Sequence, residues 1–193
     1  MLAGLEMCQY NYLTLPPSAD AVAIGSIARS FGKKLTVVPH HVLCSLLRAG
    51  ETLHSTSTGS CDCGSCVGCA ANPPSVPTAD LEKDMQKLEA KGWSQGKIAR
   101  WRAGKMASAR RDQARHRELI EDRTSEAKQW CALLDACLRD GGPEWVGLIH
   151  TWEGGGSREM RTKYREVDLK LRDLNSSAIL ELPQYRLLRV LRG

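Results

Sequence analysis

The hydrophobic pattern of the first seventy residues alternates between strand-like and helix-like stretches. Residues 7–15 are rich in strand-forming side chains and end at two prolines, which predicts a strand. Residues 19–32 carry apolar side chains at helical spacing, and Gly32 ends that pattern. The remaining predictions for this half are a short strand over 34–39, a helical turn over 42–48 and a polar strand over 51–60.

The pattern changes after residues 71–79, which are rich in proline and have no periodicity. From Leu81 onward, apolar side chains repeat every three or four residues, which predicts a helix that ends near Gly92. Ser94 can cap a second helix, in which Gly104 is a potential break. A third helix is predicted from one apolar stripe made of Leu119, Ala127, Trp130, Leu134, Cys137 and Leu138.

The last fifty residues combine two strand patterns with an ambiguous middle. Residues 144–152 read as a buried strand, and residues 185–192 read as a strand that closes the sheet. Between them, the spacing of Met160, Tyr164, Val167, Leu171 and Leu174 favours a helix, although alternation at Val167, Leu169 and Leu171 offers a strand instead.

These elements predict an α/β or α+β fold, a small mixed sheet domain with a long helical insertion. Residues 1–70 would form an N-terminal βαβ-like half that ends in a cysteine-rich loop, and 71–79 a linker. Residues 80–139 would form a basic helical insertion, and 144–193 a strand-helix-strand unit that completes the sheet.

Composition places the chain among ordinary globular proteins. Hydrophobic residues make up 42% and charged residues 25% of the sequence, and no apolar run approaches the ~20 residues of a membrane helix. The first residues lack the basic and long apolar segments of a secretory signal. We therefore expect a cytoplasmic protein, in which thiols stay reduced and a cysteine cluster is more often a metal or redox site than a disulfide framework.

The densest chemistry in the sequence is the stretch CDCGSCVGC at residues 61–69. Its thiols Cys61, Cys63, Cys66 and Cys69 predict a metal–thiolate site, with zinc as the expected metal and an iron–sulfur cluster less favoured. One loop supplies all four ligands of a tetrahedral site only with steric difficulty, so two or three of these cysteines are expected to combine with a distant ligand. The candidates on preceding segments are Cys8, His40, His41, Cys44 and His54.

Several short segments resemble a family of uncharacterised bacterial proteins. The segments are STGSCDCGSCVG (57–68) with the Met-Cys strand near the N-terminus, KGWSQGKIARW (91–101) and VGLIHTW (146–152). The resemblance implies that Cys8, Cys61, Asp62, Cys63 and Gly64 belong to the shared pattern, with Cys66 and Cys69 outside it. The family has no assigned activity to carry over.

A thiol enzyme or redox switch is the alternative to a metal site. It would use Cys61 and Cys63, with Cys8 as a further participant; if the chain started at Met7, removal of Met7 would leave Cys8 as an N-terminal nucleophile. The charge of Asp62 is expected to raise the thiol pKa of its neighbours, which disfavours a highly reactive nucleophile. Cys8 as a buried residue of the first strand is the simpler interpretation.

Positive charge is concentrated in residues 94–117, which contain eight Lys and Arg residues and one acidic residue, Asp112. The segment 88–105 has the outline of a helix-turn-helix. At 100° per residue, one narrow sector of the second helix carries Lys97, Arg100, Arg111 and Arg115, with Trp101 about 40° away. This arrangement predicts contact with nucleic acid through phosphates and base stacking, although an acidic protein partner or a solvated face remains open.

No recognisable catalytic triad, phosphate-binding loop or paired-carboxylate motif is present in the sequence. His150 lies in an apolar strand, where a hydrogen-bonded core residue is the usual outcome, while Trp152 and Glu153 could line a pocket. The sequence therefore favours a binding protein with a metal–thiolate loop and a basic helical arm over an enzyme.

Overall fold

The structure, a computed structural model, describes residues 8–72, 74, 78–153 and 165–193. It is an α+β fold with a mixed sheet of six strands. The strands are β1 (Cys8–Leu15), β2 (Thr36–Val37), β3 (Thr52–Ser55), β4 (Trp145–Glu153), β5 (Arg165–Lys170) and β6 (Arg186–Leu191). The helices are α1 (Ala21–Ser30), α2 (His41–Leu46), α3 (Thr78–Ala90), α4 (Gln95–Asp140) and α5 (Ser176–Leu180), with a 3-10 turn at Leu171–Asp173.

The strand order across the sheet is β2-β3-β1-β4-β6-β5. Neighbouring strands are antiparallel except β5 and β6, which run parallel. The central strands β1 and β4 are buried along almost their whole length. Side chains alternate between the two faces of a strand, so burial at consecutive positions means that both faces of the sheet centre are covered.

Two buried groups of side chains account for this coverage. On one face, Tyr12 of β1 packs with Ile149 of β4 in a cluster whose other buried members are Leu43, Leu53 and Leu187. Leu13 and Leu15 alternate with Tyr12 on β1, and they are also fully buried. Further buried apolar side chains lie on α1 and on the C-terminal part of α4, as the periodicity predicts: Ile24, Ala28, Trp130, Leu134 and Leu138.

The predicted helix around Val167 is wrong for the described residues, which form strand β5. Met160 and Tyr164, which supported the helix, lie outside the described residues. β5 pairs in parallel with β6, and a buried ion pair secures it: Arg189 Nη1 lies 2.7 Å from Glu166 Oε2 and Arg189 Nη2 lies 2.8 Å from Glu51 Oε1. The sequence pattern did not decide between a helix and a strand, because Val167 and Leu171 fit the helical spacing of four residues and also, together with Leu169, the alternation of a strand.

α4 is one helix of 46 residues, where the pattern predicted two. The Ser94 carbonyl oxygen accepts hydrogen bonds from Lys97 N and Ile98 N at the start of α4. Gly104 does not break the helix, since glycine lowers helix stability by only about 1 kcal/mol and the flanking residues continue the hydrogen-bond ladder. Leu119, predicted in the apolar stripe, is exposed.

The chain divides into two compact units. One contains the described residues up to Ala71 together with those from Arg123 onward, and the other contains the described residues from Asn72 to Asp122. Six strands and the C-terminal part of α4 belong to the first unit, and α3 with the N-terminal part of α4 to the second. No helix in the described part of the chain combines the length and apolar character that a membrane crossing requires.

Candidate metal centre

Three thiols from two separate segments meet at the N-terminal end of β1. The ligand atoms of Cys8, Cys61 and Cys63 all lie within 4.8 Å of one another. The pairing of β3 with β1 explains this meeting. Because the two strands are antiparallel, the chain that leaves β3 runs alongside the beginning of β1, where Cys8 is the first strand residue.

Hydrogen bonds fix the cysteine loop against β1. Asp62 N donates to the Gln9 carbonyl oxygen (2.7 Å), and Asn11 N donates to Asp62 Oδ2 (2.9 Å). Gln9 N donates to Cys63 Sγ at 3.4 Å. Gly64 follows with φ of 90°, a conformation that side chains rarely adopt, and so lets the loop turn directly after Cys63. Asp62 therefore anchors the loop to β1, and its two neighbours in the chain, Cys61 and Cys63, lie beside Cys8.

The two later cysteines lie outside the three-thiol group. Cys66 is fully buried, and this burial raises the pKa of its thiol well above the usual range. Burial also raises the pKa of Cys69. Gly68 N and Ala70 N, which flank Cys69, donate to the carbonyl oxygens of Ile179 and Leu180, so this half of the loop packs on α5. Of the predicted metal set, the structure brings Cys61 and Cys63 together and adds Cys8.

The pKa values of Cys8 and Cys61 are shifted in opposite directions. The pKa of Cys8 is raised to about 11, mainly by partial burial and then by hydrogen bonds with Cys61 and Cys63 and by the negative charge of those thiolates. The pKa of Cys61 is lowered, first by the backbone N–H of Cys63 and then by the side chains of Cys63 and Cys8, against the opposing effect of burial. The pKa of Cys61 is therefore shifted in the direction opposite to the one expected from the charge of Asp62, whose carboxylate accepts a hydrogen bond from Asn11 N.

The other candidate ligands of the sequence have different positions. His54 is buried and hydrogen-bonds through Nε2 to Thr52 Oγ1 (2.9 Å), while His41 and Cys44 are exposed on α2. His40 caps α2 by accepting from Leu43 N at Nδ1, so its Nε2 carries the proton and donates to Glu153 Oε1 at 2.8 Å. His150 is a buried core residue whose Nε2 donates to the Leu182 carbonyl oxygen (2.8 Å), as predicted.

A group of hydrogen-bonded polar side chains lies beside the three thiols. The sequence named Glu153 and His40 separately but did not predict that they meet. Glu153 lies directly opposite Cys8 in the β1–β4 pairing. Its Oε1 accepts from His40 Nε2, from Tyr12 Oη (3.1 Å) and from Thr151 Oγ1 (3.2 Å). Burial raises the pKa of the Tyr10 phenol, and the negative charges of Cys8 and Glu153 raise it further. Only the antiparallel pairing could reveal this group, since His40 and Glu153 are 113 positions apart.

The predicted nucleic-acid residues all lie on α4, in the second unit. Lys97, Arg100, Arg111 and Arg115 are exposed, and none of them forms a salt bridge with another residue in the described part of the chain. Trp101 is half-buried, and Lys105 Nζ lies 6.0 Å from its ring centroid. Lys97 Nζ instead stacks on Trp93, 3.8 Å from the ring centroid.

The fold and the site together define an α+β protein with a three-cysteine group that is close enough to hold a metal ion. Comparison of the chain with protein-family models, curated proteins and solved structures gives no match. The resemblance to the bacterial family with a Met-Cys strand and a Cys-Asp-Cys loop accordingly stays a prediction.

Proposed function

We propose that this protein binds one zinc ion through the thiolates of Cys8, Cys61 and Cys63. The observation that supports the proposal is the meeting of three thiols, contributed by β1 and by the loop after β3, within 4.8 Å of one another. Zinc prefers tetrahedral thiolate and imidazole ligands, and three protein ligands leave one position for an exogenous group. An iron–sulfur cluster usually takes four cysteines, so the three-thiol group favours zinc.

The fixed loop supports a metal centre more than an accidental cluster. Asp62 is held by Gln9 and Asn11 on the neighbouring strand, so Cys61 and Cys63 are positioned before any metal binds. A preformed site loses less conformational entropy on binding than a flexible one. Three mutually close thiols also repel one another once ionised, and a dication would offset this repulsion, as zinc does when it displaces thiol protons.

Metal content and thiol reactivity of the purified protein test the proposal. We expect about one zinc per chain, with Cys8, Cys61 and Cys63 becoming reactive towards a thiol reagent only after a chelator removes the metal. A metal-free protein in which two of Cys8, Cys61 and Cys63 are oxidised to a disulfide would contradict it and would favour the redox switch instead.

Serine variants locate the site. Cys61→Ser is expected to lower zinc affinity by at least about 100-fold, because even the loss of a residue that only orients a metal ligand costs about 10–100-fold. Cys44→Ser is the matched control, since Cys44 is an exposed thiol outside the three-thiol group. Zinc affinity measured by competition with a chromogenic chelator should remain unchanged in the control. Equal losses in both variants would contradict the assignment of the ligands.

A second proposed role belongs to α4. We propose that its exposed basic face binds nucleic acid through the phosphates. Lys97, Arg100, Arg111 and Arg115 support this role because they are exposed on one helix and have no salt-bridge partner among the described residues. Unneutralised cations that share one sector of a helix suit a repeating anion such as a nucleic-acid backbone. We further propose that the protein acts in the cytoplasm, where the thiols would stay reduced and available to the metal.

A further inference from the structure

An open cleft of about 440 Å³ is lined by the C-terminal part of α4 and by the segments that follow β5 and β6. Its α4 side includes Cys131, Asp135 and Arg139, which lie four residues apart and so share one face of the helix. All of its described lining residues belong to the first unit. Pockets for small molecules have volumes of about 300–1,000 Å³, so the cleft is large enough for such a ligand.

The uncharged part of the cleft lining is aliphatic. Leu171 and Leu174 line it from the 3-10 turn after β5, where Leu174 N donates to the Leu171 carbonyl oxygen at 3.1 Å. Ala132 and the half-buried Cys131 line it from α4. Apart from the charged residues, no aromatic ring, amide or hydroxyl side chain is among the described lining residues. A sugar or a base would leave polar atoms unpaired against this surface, whereas an aliphatic chain would not.

Arg192 is a fixed cation of this cleft. Its Nη2 donates to the Arg139 carbonyl oxygen at 3.1 Å and its Nη1 to the Gly142 carbonyl oxygen at 3.4 Å, which attaches the guanidinium to the C-terminal end of α4. A guanidinium has five N–H groups, so these two bonds leave three for another acceptor. No carboxylate in the described part of the chain forms a salt bridge with Arg192. Its charge is therefore available to an anionic ligand.

The cleft has an excess of positive charge. Its described lining contains three arginines and one aspartate. Arg139 is neutralised by that aspartate, because its Nε lies 2.7 Å from Asp135 Oδ1. Arg172 is mostly exposed, and its nearest carboxylate is that of Asp173, 3.8 Å from Nε. Arginine binds a carboxylate through two parallel hydrogen bonds, so Arg172 and Arg192 together favour an anionic head group.

We propose that this cleft binds a small aliphatic carboxylate, whose head group pairs with Arg172 and Arg192 and whose chain lies against Leu171 and Leu174. Each part needs the other, because an exposed ion pair alone contributes little and the chain gains affinity only where apolar surface leaves water. The inference is independent of the zinc site and of the basic face of α4, since no residue of either is among those that line the cleft.

Titration calorimetry of the full chain with sodium octanoate tests the two parts of the ligand. We expect saturable binding of about one octanoate per chain, at least about 10-fold tighter than acetate or octan-1-ol, because acetate lacks the chain and octan-1-ol lacks the charge. Octan-1-ol that binds as tightly as octanoate would overturn the role of the arginines. Acetate that binds as tightly would overturn the role of the leucines, and the absence of saturable octanoate binding would overturn the whole inference.

Two glutamine variants test the arginines. Arg172→Gln should weaken octanoate binding by about 5-fold and leave the fold unchanged, since Arg172 has one long ion pair and is mostly exposed. Arg192→Gln should weaken it by about 10-fold, and its thermal midpoint shows whether the end of α4 is also destabilised. Arg29→Gln is the control, because Arg29 is an exposed arginine of α1 outside the cleft. Unchanged affinity in Arg172→Gln, or an equal loss in the control, would contradict the assignment.

Alkylation of Cys131 reports where octanoate binds. Cys131 lines the cleft, whereas Cys44 is an exposed thiol on α2 and is the internal control. Burial raises the pKa of Cys131, so the reaction with iodoacetamide is run at mildly alkaline pH, where the reactive thiolate forms. Peptide mapping should show that saturating octanoate slows the alkylation of Cys131 and leaves that of Cys44 unchanged. An unchanged rate at Cys131 would place the ligand elsewhere and overturn the inference.

Discussion

Gly68 is a residue whose small size the fold requires. It has φ of 72°, and a Cβ at this position would overlap His150 Nε2 and approach the Leu182 carbonyl oxygen to 2.7 Å. His150 and Leu182 are themselves joined by a hydrogen bond. A side chain at Gly68 would therefore push apart β4 and the segment after α5, between which the second half of the cysteine loop is packed.

Gly68→Ala should lower the free energy of unfolding by roughly 2–4 kcal/mol, which combines the cost of positive φ with the steric overlap. Gly64→Ala is the control, because Gly64 also has positive φ, at 90°, but nothing lies within 4 Å of its Cβ position. Only the backbone cost of about 1–2 kcal/mol should appear there. Urea denaturation measures both, and equal losses would contradict the packing of Gly68 on His150.

At the scale of elements, α4 joins two compact units with different surface chemistry. Its C-terminal part contributes buried residues such as Trp130 and Leu134 to the first unit, while its N-terminal part is basic and exposed. The sequence pattern predicts both halves of α4 as helical but does not show that they form one continuous helix. Gly104 weakens a helix only slightly, and the hydrogen-bond ladder along the backbone bridges such a position without any signal in the side-chain pattern.

The basic face of α4 predicts a particular salt dependence. Arg100→Ala, Arg111→Ala and Arg115→Ala should each make the plot of log affinity against log salt concentration less steep by about one unit, measured with a single-stranded oligonucleotide. Each variant makes one phosphate contact fewer, so its binding releases fewer counterions. Trp101→Ala should weaken binding by about 1–3 kcal/mol with little change in the slope, since stacking releases no counterions.

Fluorescence anisotropy at several salt concentrations measures these effects. Lys87→Ala is the control, because Lys87 lies on α3 and already pairs with Asp84 at 3.0 Å. Absence of binding at low salt would contradict the nucleic-acid role. So would equal losses for arginine and tryptophan variants on heparin, which has no bases to stack, and an acidic protein partner would then be the better assignment.

At the scale of the whole molecule, two buried histidines couple stability to pH. Burial lowers the pKa of His54 and of His150 below the usual value. The unfolded chain, with a histidine pKa near ~6.5, therefore takes up protons that the folded protein resists. The stability of the fold is fully present above this value and declines as the pH falls through it, by up to about 1.4 kcal/mol per pH unit for each histidine.

Urea midpoints measured between pH 7.5 and pH 5.5 test this coupling. His54→Gln should flatten the decline by about half, because one of the two buried histidines no longer titrates. The control is His41→Gln, which replaces an exposed histidine on α2 and should leave the pH dependence unchanged. A decline that is the same in His54→Gln and in the wild type would show that other groups are responsible.

The sequence by itself determined most elements of the sheet and the candidate chemistry. Local patterns located the strands later seen as β1, β4 and β6: strand-forming side chains before two prolines marked β1, and a nearly continuous apolar run marked β4. Cysteine density marked the loop, since composition is visible without any knowledge of the fold.

Only the tertiary structure decided which of these residues meet. β5 could not be chosen over a helix, because its pairing partner β6 is about 20 residues away and local periodicity fits both. Proximity along the chain favoured Cys66 and Cys69 as partners of Cys61 and Cys63. The antiparallel alignment of β3 with β1 instead brings Cys8 to them, and the pairing of β1 with β4 places Glu153 opposite Cys8. Strand pairing is a long-range interaction, so the composition of the site depends on backbone hydrogen bonds that no local pattern encodes.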